Sequence, residues 1–541
     1  MTTTFTAEDL QWTDASLWTQ FEALAQAAPT ALALVSPDGQ TWSRAELSSM
    51  AMATAAHLRQ HGLRPGDRVM LRACKTAPTL AAALAVSSLG GILCPFTPDL
   101  GRSEREVLQQ RLNHLAVISD SSDDTFDDAS EDAGDEASTG LPRLSELPGV
   151  PRLGQPDLPP LRLKVRDRAD LAPADPRDAL TALIGFTSGT TGLPKGVMHS
   201  SAAMNYACRA CAQIADLAPG DAIAGLVPLA SAPGFTFSVH FALASGHPLV
   251  LVDPWEPMRA LRLIDNFQCR WAMCVPTQLT AMIETARAGQ WTRPSPLRAL
   301  AVGGSAMTPE LVADAERLLG IRVLRMFGMS ECMGHASTRP SDAIALRGTS
   351  DGKPFPGTVD EAFDPELRML PRGQRGQAGV RGPSLFIGYC KGLGDNEARF
   401  TPDGYFLTGD EIVHDAQGHL RVVGRIKDQI IRGGYNIDPA EVEAALQTHP
   451  AIAAVALVAV PEHRLGEQAC AACCIRDLAT APTLEDLKQH LAGIGLSKKK
   501  WPEHLLILEQ LPLTATGKVD KKQLARLALT ALKTLNAPAP H

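Results

Sequence analysis

The string Phe186-Thr187-Ser188-Gly189-Thr190-Thr191-Gly192-Leu193-Pro194-Lys195-Gly196 crowds hydroxyl groups and glycines into a few positions. Such a run lets backbone N–H groups and side-chain hydroxyls surround phosphate oxygens at close range, and Lys195 adds a positive charge within reach. It is not a Walker A loop, because the spacing G-x-x-x-x-G-K-[ST] is absent. Read in isolation, the string could also be a Gly/Thr-rich surface turn.

The string resembles the phosphate loop of the adenylate-forming superfamily, which includes acyl-CoA synthetases, peptide-synthetase adenylation domains and beetle luciferases. The likeness runs from about residue 42 to 524, because further motifs follow in the family's order. It implies that Thr187, Ser188, Gly189, Thr190, Thr191, Gly192 and Lys195 hold the phosphates of ATP. Gly303-Gly304-Ser305-Ala306-Met307 resembles the adenine-side loop, and Met326-Phe327-Gly328-Met329-Ser330-Glu331 resembles the aromatic-Gly-x-Thr-Glu motif. By that resemblance Phe327 stacks on adenine, with Gly328 and Met329 beside it. Ser330, where Thr is commoner, keeps the hydroxyl that bonds the phosphate or the substrate carboxylate. Glu331 would hold Mg²⁺, an ion that favours hard carboxylate oxygen.

Tyr405-Phe406-Leu407-Thr408-Gly409-Asp410 resembles the segment whose Asp grips the ribose hydroxyls, the device also used in dinucleotide folds. The string 424–435 resembles the family's hinge motif. There Arg425 would also reach the ribose, Lys427 would be the pivot, and Gly433 and Gly434 would line the tunnel of the incoming thiol. Pro512-Leu513-Thr514-Ala515-Thr516-Gly517-Lys518-Val519-Asp520 resembles the C-terminal catalytic-lysine loop. Lys518 would bridge the substrate carboxylate and the α-phosphate. Carboxylate attack on phosphorus concentrates negative charge, so a positioned ammonium lowers the barrier.

One stretch departs from the family. Many acyl-CoA synthetases carry Pro-Leu-Phe-His-x-x-Gly at the edge of the acyl pocket, where this chain has Pro228-Leu229-Ala230-Ser231-Ala232-Pro233-Gly234. Two rings are replaced by small residues, so Ala230, Ser231, Gly234 and Phe235 are expected to border a site for a bulkier or branched acid. The alternative is that Phe235 or Phe237 refills the gap. The strings 327–332, 387–391 and 431–434 are most similar to bacterial ligases for alicyclic and medium-chain acids, of the cyclohexanecarboxylate-CoA ligase kind. No Asp is identified in the amine-recognition region of amino-acid-activating domains, and no carrier domain is expected after the lysine loop.

The elements that must position these residues read as α/β architecture. Residues 45–60 form an amphipathic pattern for a helix, and 68–71 a short strand after the Pro65-Gly66 turn. The apolar run 80–93 is interrupted by Ser and Gly and followed by Pro95, so it reads as a buried helix and a strand, not a membrane span. Residues 120–136 are Asp, Glu, Ser, Thr, Ala and Gly with a single Phe, which predicts a mobile surface insertion; an acidic docking segment is the alternative. Strand ends are expected at 302–305 and 323–327. Beyond these, 439–447 and 484–491 predict helices, and 452–460 and 505–508 predict strands. The fold class is therefore α/β: a large N-terminal domain of mixed sheets and helices, residues 1–426, and a small mobile α+β domain, residues 427–541.

The chain has 45% hydrophobic and 20% charged residues, the balance of a soluble globular enzyme. Its net charge of -8 argues against a nucleic-acid partner. No signal peptide is evident at Met1-Thr2-Thr3-Thr4. Cys470, Cys473 and Cys474 lack a second spaced pair of metal ligands and read as buried free thiols of a cytoplasmic protein. A monomer or homodimer is expected. The expected activity is that of an acid:CoA ligase using ATP, Mg²⁺ and coenzyme A on a small-molecule carboxylic acid. An adenylating enzyme that passes the acyl group to a carrier-protein thiol or another nucleophile is the alternative. A catalytically dead nucleotide binder is the third reading; Lys195, Glu331, Asp410, Arg425 and Lys518 together argue against it.

Overall fold

Mostly apolar, largely buried runs make the central strands: Ala222–Gly225, Leu249–Leu251, Cys269–Cys274, Ala299–Gly303 and Val323–Met329, the last buried over its first four residues. Burial of this kind belongs to parallel strands covered on both faces. The computed structural model describes residues 12–100, 102–120, 143–146, 161–187, 195–304, 307–393, 400–426, 429–432, 435–462, 466–514 and 517–535. Its nine-stranded sheet is parallel through the centre, with antiparallel partners Cys332–Ser337 and Thr41–Ser43 toward its edges. An eight-stranded sheet contains Lys195–His199, Leu183–Thr187, Ile92–Phe96 and Arg68–Arg72 side by side. A four-stranded antiparallel sheet, Val359–Phe363 to Leu420–Arg425, follows. A separate sheet beginning at Ile430–Arg432 carries the helices Pro439–Gln447, Leu484–Gly493 and Lys521–Leu535.

The helices start where their caps dictate. Arg44–Gln60 opens with a capping box in which Ser43 and Glu46 satisfy each other's backbone N–H groups. The run 80–93 resolves into the helix Ala77–Ser88 and the strand Ile92–Phe96, so Pro95 lies inside the strand. Proline is tolerated there because the neighbour Leu183–Thr187 pairs only at Leu93, leaving the missing N–H of Pro95 without a ladder to break. Asp120, expected to open the mobile insertion, belongs instead to a strand. Asp120 ends the strand Ala116–Asp120 and is paired with Arg72 and with the Cys74 thiol. Residues 121–136 lie outside the described residues.

Lys75 joins the two large sheets. Its ammonium donates to the carbonyls of Gly225, Leu226 and Val252 at 3.0, 3.1 and 2.8 Å, and burial lowers its pKa to about 8. Cys470, Cys473 and Cys474 are buried thiols, and burial pushes Cys473 up to about 12. Among the described residues no helix is long and apolar enough to cross a membrane.

Burial also holds His114, His199 and His240 down to a pKa of about 4. The unfolded chain binds these protons near pH 6.5, the native chain only near pH 4. Their contribution to stability is thus complete above about pH 6.5 and lost as pH falls toward 4, at about 1.4 kcal/mol per pH unit for each group. Denaturant unfolding at pH 7.5 and 5.5 should therefore show a clear loss at the lower pH. A flat profile across that window would contradict the neutral burial of these rings.

Candidate active site

The antiparallel pairing of Leu183–Thr187 with Lys195–His199 sets Thr187 opposite Lys195. They stand on either side of residues 188–194 of the glycine-rich string. Ser188, Gly189, Thr190, Thr191 and Gly192 themselves lie outside the described residues, as do Ser305, Lys427, Gly433 and Gly434.

Ser330 and Glu331 form the two-residue tip between Val323–Met329 and Cys332–Ser337, where Met329 pairs with Cys332. This tip is pinned from three directions. His199 Nε2 lies 2.6 Å from the Ser330 carbonyl, and the Phe386 N–H donates to the Glu331 carbonyl at 2.8 Å. The Tyr389 hydroxyl donates to Glu331 Oε1 at 2.6 Å. Because burial keeps His199 neutral, it donates from Nε2.

Phe327 rests on an apolar cluster of Ala336, Ala362, Ala378, Ile412 and Leu420. His335 packs against its ring, with centroids 4.3 Å apart. Asp360 lies between His335 and His414, 3.2 and 2.6 Å away. Burial works to raise its carboxyl, but the two imidazoles hold it at about 2. The aromatic shelf is thus backed by a buried polar network.

Register places Asp410 directly opposite Arg425, and Arg425 Nε bonds Asp410 Oδ1 at 2.8 Å. Lys518 arrives from the smaller domain on a loop closed by the Leu513–Val519 bridge and by the Thr514 N–H to the Lys518 carbonyl. Among the contacts that seat that domain on the larger one, Thr277 Oγ1 donates to the Gly517 carbonyl at 3.3 Å, Gln429 Nε2 donates to Glu411 at 2.8 Å, and Arg375 joins Glu411 at 2.6 Å to Asp438 at 3.1 Å. The Lys518 side chain keeps contact with solvent in the cleft, but both domains crowd around it. That crowding and the Arg425 charge lower its pKa, while Asp410 and Glu331 act in the opposite sense.

The paired glycines before Ser305 have distinct steric reasons. A Cβ on Gly303 would stand 2.3 Å from the Met326 carbonyl. Gly304 has φ +92°, and a Cβ there would lie 2.8 Å from Lys518 Cε. Gly304→Ala should therefore combine backbone strain of about 1–2 kcal/mol with displacement of the lysine. We expect about a tenfold or greater loss of acyl-adenylate formation, and much less further loss when Lys518 is already Ala. Equal losses in the two backgrounds, read as a double-mutant cycle, would separate Gly304 from the lysine.

The expected acyl-pocket residues have other visible duties. Ala230 is half-buried against the main core. Ser231 Oγ accepts the Gly234 N–H at 3.0 Å and caps the short helix Ala232–Gly234. Gly234 is required by close approach, since a Cβ would meet the Pro228 carbonyl at 2.0 Å. Phe235 lines a small apolar cavity with Leu71, Leu80, Pro95, Leu229 and Val239, while Phe237 packs toward Trp271. Phe235–His240 is a π-helical turn, a geometry frequent at functional sites.

The structure thus places Thr187, Gly303, Gly304, Phe327, Gly328, Met329, Ser330 and Glu331 at or just beyond the carboxyl ends of their strands, where α/β proteins bind ligands, with Lys195 opposite Thr187, Arg425 paired with Asp410, and Lys518 within electrostatic reach of Asp410, Arg425 and Glu331. His199, His335, Asp360 and the hydroxyl of Tyr389 were not singled out from sequence. His199 follows Lys195 by four residues on one strand, which is the sole sequence signal for it.

Residues 21–390 match the family described as AMP-binding enzyme, and residues 441–518 match the AMP-binding enzyme C-terminal domain. The medium-chain fatty-acid–CoA ligase of Escherichia coli K12 is 30% identical, over 94% of this chain and 90% of that protein. The vibriobactin-specific 2,3-dihydroxybenzoate-AMP ligase of Vibrio cholerae serotype O1 is 28% identical, over 95% and 94%. The fold is shared with ATP-bound MatB of Rhodopseudomonas palustris at a TM-score of 0.79 and 24% identity, covering 96% of this chain and 100% of that one.

Proposed function

The chain belongs to the AMP-binding enzyme family, the adenylate-forming ligases, and from that premise we propose that it is a carboxylic acid:CoA ligase acting on a medium-size, alicyclic or branched acid. The observation that carries this reading is the entry of Lys518 into the cleft that holds Glu331, Asp410 and Arg425. In the first step a carboxylate oxygen attacks the α-phosphorus of ATP and pyrophosphate leaves. Lys518 offsets the charge that gathers between the two reactants. Asp410 accepts from the ribose hydroxyls, and Phe327 provides the stacking face for adenine. Glu331 would supply one hard carboxylate oxygen to Mg²⁺, whose remaining ligands would be phosphate oxygens and water, and Lys195 would face the phosphates. When bound, Mg²⁺ neutralises phosphate charge. In the second step the thiolate attacks the acyl carbon and AMP leaves. The C-terminal domain, residues 427–541, pivots at Lys427 and brings Gly433 and Gly434 to the thiol's path.

A second acceptor has support from the 2,3-dihydroxybenzoate-AMP ligase among the relatives, whose name ends the reaction at the adenylate. Incubation with ATP, a panel of acids and either CoA or pantetheine-bearing carrier proteins tests the choice. Acyl-CoA as the faster product supports the reading above; acyl-carrier formation without acyl-CoA would replace it.

A further inference from the structure

Tyr389 belongs to none of the steps above, yet it touches two of their participants. Its ring is fully buried among Val197, Cys332, Val380, Phe386 and Phe406. Its backbone pairs with Val197 on the strand that begins at Lys195. That packing leaves the ring one orientation, and the hydroxyl then ends 2.6 Å from Glu331 Oε1. The Lys195 ammonium lies over the same ring, 5.1 Å from its centroid. Three residues earlier, the Phe386 N–H holds the Glu331 carbonyl. One short segment therefore grips Glu331 by both its backbone and its side chain.

We infer that Tyr389 is a positioning residue for the metal-binding carboxylate: its phenol donates to Oε1, fixes the rotamer of Glu331 and directs Oε2 toward the phosphate side marked by Lys195. A hydroxyl–carboxylate bond of this length is charge-assisted and strongly directional. Without it, a half-exposed glutamate at a hairpin tip samples several rotamers, and a metal must select one of them. Groups that orient a metal ligand typically change metal affinity by about 10–100-fold when removed. The inference rests on the reading of Glu331 as the Mg²⁺ ligand. A purely structural tyrosine would alter stability and leave metal affinity unchanged.

The test measures metal binding directly. Mn²⁺ is titrated into the full-length enzyme with α,β-methylene-ATP present, and bound metal is read by electron paramagnetic resonance. Tyr389→Phe keeps the ring under Lys195 and removes the donor. Its Mn²⁺ dissociation constant should rise about tenfold or more, with little change in the unfolding midpoint. Glu331→Gln serves as the reference. If Glu331→Gln weakens Mn²⁺ and Tyr389→Phe stays within about twofold of the unmodified enzyme, the inference about Tyr389 is overturned while the metal assignment stands. If Glu331→Gln also binds Mn²⁺ normally, the assignment of Glu331 falls and the inference falls with it. Should Tyr389→Phe not fold, 3-fluorotyrosine at position 389, similar in shape and a stronger donor, should tighten Mn²⁺ binding; unchanged affinity would overturn the inference equally.

Discussion

Lys518→Ala should reduce acid-dependent pyrophosphate release by about a hundred- to a thousandfold, the usual consequence of deleting one preorganised electrostatic group. The loss should fall on the first half-reaction. Thioester formation from a synthetic acyl-adenylate should be largely spared, because in the domain alternation proposed above that step uses a rotated smaller domain from which Lys518 has left the cleft. The geometry behind this expectation is local. The lysine crosses Gly304 and lies within electrostatic reach of Asp410, Glu331 and Arg425. Its lowered pKa adds a second signature: the ammonium is lost as pH rises through a value below the 10.5 of an ordinary lysine, so adenylation should decline there first. Equal loss of both half-reactions in Lys518→Ala would count against the alternating-domain mechanism.

Ring-bearing acids should exceed acetate by about a thousandfold in kcat/KM. Each additional buried CH₂ adds about 0.8 kcal/mol, and a cyclohexane ring carries about five more carbons than the acetate methyl, or about 4 kcal/mol. We propose that Ala230 and Ser231, small where the family resemblance expects Phe and His, leave volume for such a ring, since unfilled apolar space forfeits contact energy. Ala230→Phe with Ser231→His should shift preference toward smaller acids and leave the KM for ATP almost unchanged. The histidine also removes the cap that Ser231 gives to Gly234, so a stability loss of about 1 kcal/mol should accompany the shift. Acetate or propionate as the best substrate of the unmodified enzyme would refute the volume argument and leave adenylation untouched.

The parts of the molecule that sequence reveals are those written in consecutive residues. Gly303-Gly304, the segment from Phe327 to Glu331, the Asp410 segment and the Lys518 loop each carry their signal within about ten positions. The periodicity of 45–60 is local in the same sense. What escapes such a reading is side-chain pairing across the fold. Tyr389 meets Glu331, His199 meets Ser330, Lys75 meets three carbonyls and Asp360 sits between two histidines only after distant strands align. Pro95 shows the complementary limit. Its missing N–H argues against a strand, and only the short pairing with Leu183–Thr187 explains why the strand tolerates it. The acid's site is legible least of all, because its proposed place at Ala230 and Ser231 rests on what those residues lack.

The central claim is that carboxylate attacks the α-phosphorus before any thiol is present. Acid-dependent exchange of labelled pyrophosphate into ATP, measured with Mg²⁺, a ring-bearing acid and no CoA, tests it most directly. Exchange that requires the acid and vanishes in Lys518→Ala is the predicted result. Acid-dependent release of ADP and orthophosphate would contradict it, because the bond broken would then lie between the β- and γ-phosphorus.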